Sequence, residues 1–293
     1  MILPWIIGII LTAQPMASPN QLTITKDGNV VTKFNQTDYF YPYADVPIIH
    51  INKYEQFLEE LDRKVGIAAE NAVLDQNDNI IPEKIGRQVH RQSFTEQVYS
   101  HYFNQDLSTL ELPMRTVYPT VDSELLNDIR NLRIGRYVTS FNPSNKNRTN
   151  NIKLAADAIN NYVVFPGETF SFNKVVGKRT KEKGYQRAKV IVRGEYSEDI
   201  GGGICQVSST LFNAVDNAGL EITQRFSHSR HVPYIPPGRD ATVSWYGPDF
   251  EFKNNYNQPI LIRTRTLGGL LITKLYSSES LLYNPKKVPN PIY

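Results

Sequence analysis

The stretch DIGGGICQVSSTLFNAVDNAG, residues 199–219, decides how the C-terminal half of this chain is read. Gly201, Gly202 and Gly203 allow backbone angles closed to other residues and let a ligand approach the main chain. Behind them Val207, Leu211, Ala214, Val215 and Ala218 keep helical spacing, and Gly219 supplies the stop. The pattern predicts a helix running to about Ala218 with Cys205 in its first turn. That placement has chemical meaning. The thiolate is the nucleophilic form of cysteine, and the unpaired amides and positive dipole end of a helix N-terminus favour an anion there. The same amides can hold the oxyanion of an acyl intermediate.

A thiol of this kind works with an imidazole that takes its proton and later returns it to a leaving group. Two histidines follow closely in RFSHSRHVPY, His228 and His231, after the strand-like LEITQRF. A downstream carboxylate can orient the ring; Asp240, at the start of ATVSW, is preferred, with Asp249 second. The expected catalytic set is Cys205, His228 and Asp240. Oxyanion or substrate contacts are expected from Gly202, Gly203, Gln206, Ser208, His231 and Arg239. A single cysteine is more often a small buried hydrophobe than a nucleophile. The glycine run, the helix start and the two histidines shift the balance towards chemistry. A metal held by His228 and His231 lacks an obvious third ligand, so neither metal nor cofactor is expected. His50, His90 and His101 lie in the other half of the chain, without a thiol, and read as structural. The run GKRTKEKG, residues 177–184, reads as a solvated loop, with a secondary reading in which it holds substrate carboxylates.

Cys205 is the sole cysteine of 293 residues, which rules out an internal disulfide and a cysteine-rich zinc site. The hydrophobic share of 40%, with 17 Tyr and 13 Phe, is enough for a real core, so wholesale disorder is excluded. With 32 basic against 29 acidic residues, the charge is too balanced to argue for nucleic acid as a partner.

Four segments are expected. Residues 1–18 contain an almost wholly apolar run from Ile2 to Ala13, followed by small residues at Ala17 and Ser18. The run is short for a bilayer span and reads as a secretory signal or signal-anchor, although no Lys or Arg precedes it. The expected location is therefore extracytoplasmic, secreted or anchored at the cell surface, with membrane contact only through an uncleaved signal. Residues 19–131 read as a smaller α+β module. It has a hairpin around Asp27-Gly28 and a helix with Tyr54, Phe57, Leu58, Leu61 and Val65 on one face. Ser93 and Glu96 suggest a capping box for a further helix, and Asp122 or Ser123 caps another. Residues 132–276 form the second unit, in which short strands, ATVSW among them, surround a few helices; the fold class is α+β. Residues 277–293 are expected to be a loose tail.

From about Arg133 to Arg265 the chain closely resembles the VanW domain of bacterial cell-surface proteins. The matching pieces are FPGETFSFN, GYQRAKVIVRGEYSEDIGGGICQVSSTLFNAV, AGLEI, HS-x-x-V-x-Y-x-P-x-G-x-DATV and the F-x-F-x-N-N that begins at Phe250. Residues about 57–131, best through NIIPEKIGRQV, resemble the peptidoglycan-binding-like module that often precedes this domain. The resemblance implies an extracytoplasmic protein of Gram-positive-type bacteria, in a family tied to glycopeptide-resistance clusters. Some members are implicated as L,D-transpeptidases that form 3-3 peptidoglycan cross-links through a cysteine. Carried over, that role falls on Cys205, and His228 occupies the histidine of the HS motif. At residue 231 the family usually has Pro and this chain has His, which leaves the choice between the two imidazoles open. The partner so implied is the peptidoglycan stem peptide. The rival reading is a non-enzymatic wall-binding or scaffold protein with Cys205 as packing, and a cysteine peptidase would share the same site.

Overall fold

The computed structural model describes residues 21–41, 47–104, 108–192 and 195–291. The expected signal segment lies outside them. The fold is mixed α+β, and the chain divides into two compact units, whose described parts are 21–71 with 83–120, and 72–82 with 121–291.

The first unit is built on the hairpin Gln21–Lys26 and Asn29–Asn35, with Asp27 and Gly28 both at positive φ in its turn. Thr109–Glu111 pairs in parallel along the other side of Gln21–Lys26. The helix Ile51–Val65 buries Tyr54, Phe57, Leu58 and Leu61, the face its sequence spacing predicts. They join Leu22, Ile24, Phe34, Phe94 and Val98 in one core. The helix expected from Ser93 starts earlier, at Arg91. The Ser93 amide donates to Nδ1 of His90 instead, so the ring and not a Ser-Glu box meets the free amide. The capping expected at Asp122 is present: its carboxylate accepts from the Leu125 amide at 2.7 Å, opening the helix Ser123–Ile129.

The second unit rests on a four-stranded antiparallel sheet in the order Leu132–Ser140, Leu270–Ser277, Ile260–Leu267, Val163–Val164. The helices Lys146–Ile159 and Ile204–Asn217 pack on it through Ile152, Ala155, Ile159, Val207, Leu211 and Ala214, all buried. Gly135 lets the second helix approach, because a Cβ there would collide with the Ala214 carbonyl oxygen. A smaller sheet of Thr169–Ser171, Glu251–Lys253 and Glu221–Gln224 adds Phe170 and Phe252 to the same core, with Phe250 just before the middle strand. The hairpin Arg187–Val192 and Glu195–Ile200 leads directly into the triple glycine.

Three expectations about organisation are corrected. The second unit does not begin at residue 132, since residues 72–82 and 121–131 belong to it. Ala72, Leu74, Val121, Leu126 and Ile129 share a buried cluster with Val163 and Leu261. Nor is the tail after residue 276 loose along its described length. Leu281 is buried, the Lys286 amide donates to Asn217 O, and the Tyr137 hydroxyl donates to Pro289 O. ATVSW is also not a strand; residues 241–244 run as irregular chain. Among the described residues no helix is long and apolar enough to cross a membrane.

Candidate active site

The helix Ile204–Asn217 starts on Gly203, whose φ of 108° lies in the left-handed region that a side chain would resist. Gly202 is packed so tightly that a Cβ would strike the main chain of Ala188, and its carbonyl accepts from Nδ2 of Asn151 at 3.0 Å. The glycine run thus fits the helix start beneath the preceding hairpin. In the first turn the Ile204 amide donates to Gly201 O and the Gln206 amide to Gly203 O.

Cys205 stands partly exposed at the wall of a cleft of about 1320 Å³. Its thiol donates to Val243 O at 3.5 Å and lies 3.8 Å from the Thr242 hydroxyl. His228 lines the same cleft. The Asp240 carboxylate fixes that ring: one oxygen accepts from the His228 main-chain amide at 2.6 Å and meets Nδ1 at 2.6 Å. With Nδ1 facing a carboxylate, the ring directs its other nitrogen to its own chemistry. Both side chains of this pair are nearly buried.

The electrostatics link all three groups. Burial alone pushes the Cys205 thiol up, but the hydrogen bond and positive charge of His228 reverse this, helped by the Val243 main chain and Thr242. The thiol is left below its ordinary value. Burial pulls His228 down, and its hydrogen bonds and charge interactions with Asp240 and Cys205 overcome this, raising it to about 9. Burial raises Asp240, and the His228 ring and amide bring it below the usual carboxylate range. The mutual shifts thus favour a thiolate beside an imidazolium beside a carboxylate.

The rest of the site is held by polar side chains whose roles differ from those the sequence suggests. Ser208, expected to meet substrate, is fully buried, and its hydroxyl donates to Ala241 O at 2.6 Å. Ser209 donates to Cys205 O at 2.6 Å and accepts from the Ala241 amide at 2.9 Å, tying the thiol's helix turn to the segment after Asp240. Arg239, also expected at the substrate, turns away: Nε donates to Asn213, an Nη donates to Asp216 at 2.7 Å, and the guanidinium lies over the Phe212 ring. Gln206 reaches the cleft wall, but its amide is spent on Thr139 Oγ1 and Ser140 O, and its oxygen accepts from Arg148. Gly202 is a packing glycine, whereas Gly203 lines the cleft. His231 is exposed and stands outside the cleft wall, so the imidazole beside the thiol is that of His228. Asp249, the second choice as orienting carboxylate, instead accepts from the Ser171 hydroxyl and the Asn173 and Phe250 amides.

Several cleft residues are not marked by the sequence. Arg148, from the helix Lys146–Ile159, lies 5.9 Å over the Tyr234 ring and is depressed by burial, partly offset by Tyr234 and Cys205. Burial pushes the Tyr234 phenol far above its ordinary value, and the charge of Cys205 adds to this. Trp245 and Tyr246 stand exposed at the rim, with Lys178 over the Tyr246 ring. Tyr234 falls inside the motif around His228; nothing local marks Arg148. Among the described residues no group of three or more His, Cys, Asp or Glu is placed to hold a metal ion.

Two relatives and one family model match the chain. An uncharacterised Bacillus subtilis protein, YoaR, is 52% identical over 284 residues, covering 97% of this chain and 94% of its own. The vancomycin B-type resistance protein VanW of Enterococcus faecalis is 34% identical over 117 residues, 38% of this chain and 42% of its own. No solved structure matches. The model of VanW-like proteins covers residues 147–276, which contain the thiol, the imidazole and the carboxylate just described, and the chain belongs to the VanW family.

Proposed function

We propose that this chain is a cell-envelope protein that acts on peptidoglycan stem peptides by cysteine-dependent acyl transfer of the L,D-transpeptidase type. The observation that supports it is the line Cys205, His228, Asp240 at the wall of an open cleft, with the thiol lowered and the imidazole raised by each other's charge. Its volume of about 1320 Å³ exceeds the ~300–1,000 Å³ of ordinary small-molecule pockets and suits a peptide on a bulky wall fragment. The glycopeptide-resistance name of the enterococcal relative points to the same material. The signal-like N-terminus supports an extracytoplasmic location, secreted or anchored at the cell surface.

The geometry of these groups supports the following steps. The Cys205 thiolate attacks the scissile amide carbonyl of a tetrapeptide stem, forming a C–S bond and an oxyanion. Main-chain amides near Gly203 and Cys205, at the start of the helix, hold that oxyanion. His228 gives its proton to the departing nitrogen, the C–N bond breaks, and the terminal D-residue leaves as a free amine. A neighbouring stem's amine, or water, gives its proton to His228 and attacks the thioester. The C–S bond then breaks and the thiolate is restored. Asp240 keeps the ring in the orientation and tautomer the transfers need.

Cys205→Ala is expected to abolish cross-linking or trimming of purified muropeptides while the circular dichroism spectrum stays that of the folded parent protein. Turnover that survives this substitution rejects the mechanism. A mass increase on Cys205 during incubation with muropeptides would report the thioester directly.

A further inference from the structure

The loop that follows the short helix Phe172–Val176 carries Arg179 into the cleft wall beside Cys205. The aliphatic stem of Arg179 lies against Gly201: a Cβ on that glycine would sit 3.3 Å from Cβ and 3.4 Å from Cγ of the arginine. Its guanidinium is 5.8 Å from the centre of the Phe172 ring. Both terminal nitrogens, Nη1 and Nη2, are buried and have no hydrogen-bond partner among the described residues. A guanidinium stays protonated in proteins and offers a planar fork of donors, so burying it without acceptors is costly unless a ligand supplies them.

The neighbours do not supply them. Asp249 is close enough to be felt as charge, but its oxygens accept from Ser171, Asn173 and Phe250. Arg148, the other arginine whose ionisation responds to Cys205, already donates to Gln206. Burial lowers Arg179, and the opposing influences are Tyr185, then Cys205, then Asp249. The thiol and the partnerless guanidinium therefore belong to residues that line the same cleft.

We infer that Arg179 is the substrate-carboxylate receptor of this site, binding a free carboxylate on the substrate through its two terminal nitrogens. This rests on the acyl-transfer reading above and deepens it. A bidentate guanidinium matches a carboxylate in shape as well as charge. In the reaction proposed, the group expelled from Cys205's substrate is a terminal residue that bears such a carboxylate. Arg179 thereby selects chains that end one residue beyond the scissile amide, and the same peptide capped as an amide is a poor substrate. Part of the segment that reads as a solvated loop in the sequence is on this view the specificity element.

The test uses two alkylating probes that differ only in the group Arg179 would bind. Each displaces iodide with the Cys205 thiolate, forming one C–S bond, but iodoacetate carries a carboxylate and iodoacetamide does not. The full-length protein, Arg179→Gln and Arg179→Lys are labelled at neutral pH, and the rate ratio of iodoacetate to iodoacetamide is measured for each. Loss of one charge-assisted pair is expected to lower that ratio about tenfold in Arg179→Gln, with Arg179→Lys in between. The iodoacetamide rate of each variant reports how far loss of the nearby cation alters the thiol itself, and the ratio removes that effect. A second measurement needs no variant: N-acetyl-D-alanine should slow iodoacetamide labelling of the parent protein and N-acetyl-D-alaninamide should not. An unchanged ratio in a variant that still reacts with iodoacetamide, or equal protection by acid and amide, overturns the role of Arg179 and leaves the thiol mechanism standing. A parent protein whose Cys205 resists iodoacetamide altogether sinks the thiol mechanism and this inference with it.

Discussion

At the scale of single residues the site depends on how one carboxylate is used. Asp240 accepts from both the amide and the ring of His228, and the ring in turn lowers the thiol of Cys205. Asp240→Asn keeps the shape and removes the charge. His228 should then fall from about 9 towards its ordinary ~6.5, and the thiol should rise. The midpoint of the pH profile for iodoacetamide labelling is expected to move up, and labelling near pH 7 to slow about tenfold for every pH unit the midpoint climbs. A profile that does not move would show that Asp240 is not what holds the imidazole charged. Stability should follow the same groups. The raised imidazole contributes fully below ~6.5 and loses its contribution as pH climbs through about 9. The depressed carboxylate contributes above ~3.9 and loses its contribution as pH falls through its lowered value. The Tm difference between parent and variant should therefore be widest between these limits. This juxtaposition was legible in the sequence, because cysteine at a helix start and a histidine one strand later are patterns of local chain order. Arg179 was legible only as one basic residue in a run of them. Its meaning comes from burial without acceptors, which a linear sequence does not display.

At the scale of elements, the position of Cys205 is set by the helix Ile204–Asn217 lying on the strand Leu132–Ser140. The approach is tight at Gly135, where any side chain would meet the Ala214 carbonyl, with the Ala218 methyl 3.1 Å from its Cβ. Because the principal clash is with main chain, trimming Ala214 to glycine cannot relieve it. Gly135→Ala is expected to cost about 1–3 kcal/mol, the range of overpacked cores, read as a lower midpoint in urea with an unchanged slope. A loss below about 0.5 kcal/mol would mean that strand and helix can slide apart freely. The helix itself was visible in the sequence because its apolar residues recur every three or four positions. ATVSW misled for the converse reason: its alternation resembles a strand, but its polar groups are satisfied across the fold. The Ala241 amide donates to Ser209 Oγ, the Thr242 amide to Phe226 O and the Ser244 amide to Pro248 O. None of these partners recurs with a period that local sequence could reveal. Irregular main chain of this kind is suited to a cleft wall, since it leaves Val243 O turned towards the thiol.

At the scale of the whole molecule the two units are interleaved along the chain, because residues 72–82 leave the first unit, join the second, and the chain then returns. The sequence shows the turn at Asn77-Asp78-Asn79 but not which unit the hairpin serves, since the deciding contacts are almost two hundred residues away. Arg263 makes them. One terminal nitrogen donates to Leu74 O at 2.9 Å and Asn161 Oδ1 at 2.6 Å, the other to Asp75 O at 2.8 Å and Asp78 Oδ1 at 2.7 Å. Asn161 completes the clasp with both the amide and the carbonyl of Leu74. The Arg263 side chain is mostly buried while that of Asp78 is exposed, so the worth of the clasp lies in the carbonyl bonds and not in the surface ion pair. Arg263→Ala would take the charged donor from the Leu74 and Asp75 carbonyls, leaving them only Asn161 Nδ2 and the Asp78 amide, and loosen the hairpin that packs with Leu261 and Val163. A loss of about 2 kcal/mol is expected, in the range for hydrogen bonds to a charged group, with proteolysis between residues 75 and 79 accelerated in parallel. Asp78→Ala, which removes only the exposed partner, should cost less than about 1 kcal/mol and serves as the control. If the two variants melt alike, the hairpin is held by its apolar residues alone. The division of the chain would then rest on Leu74 and its neighbours and not on the arginine.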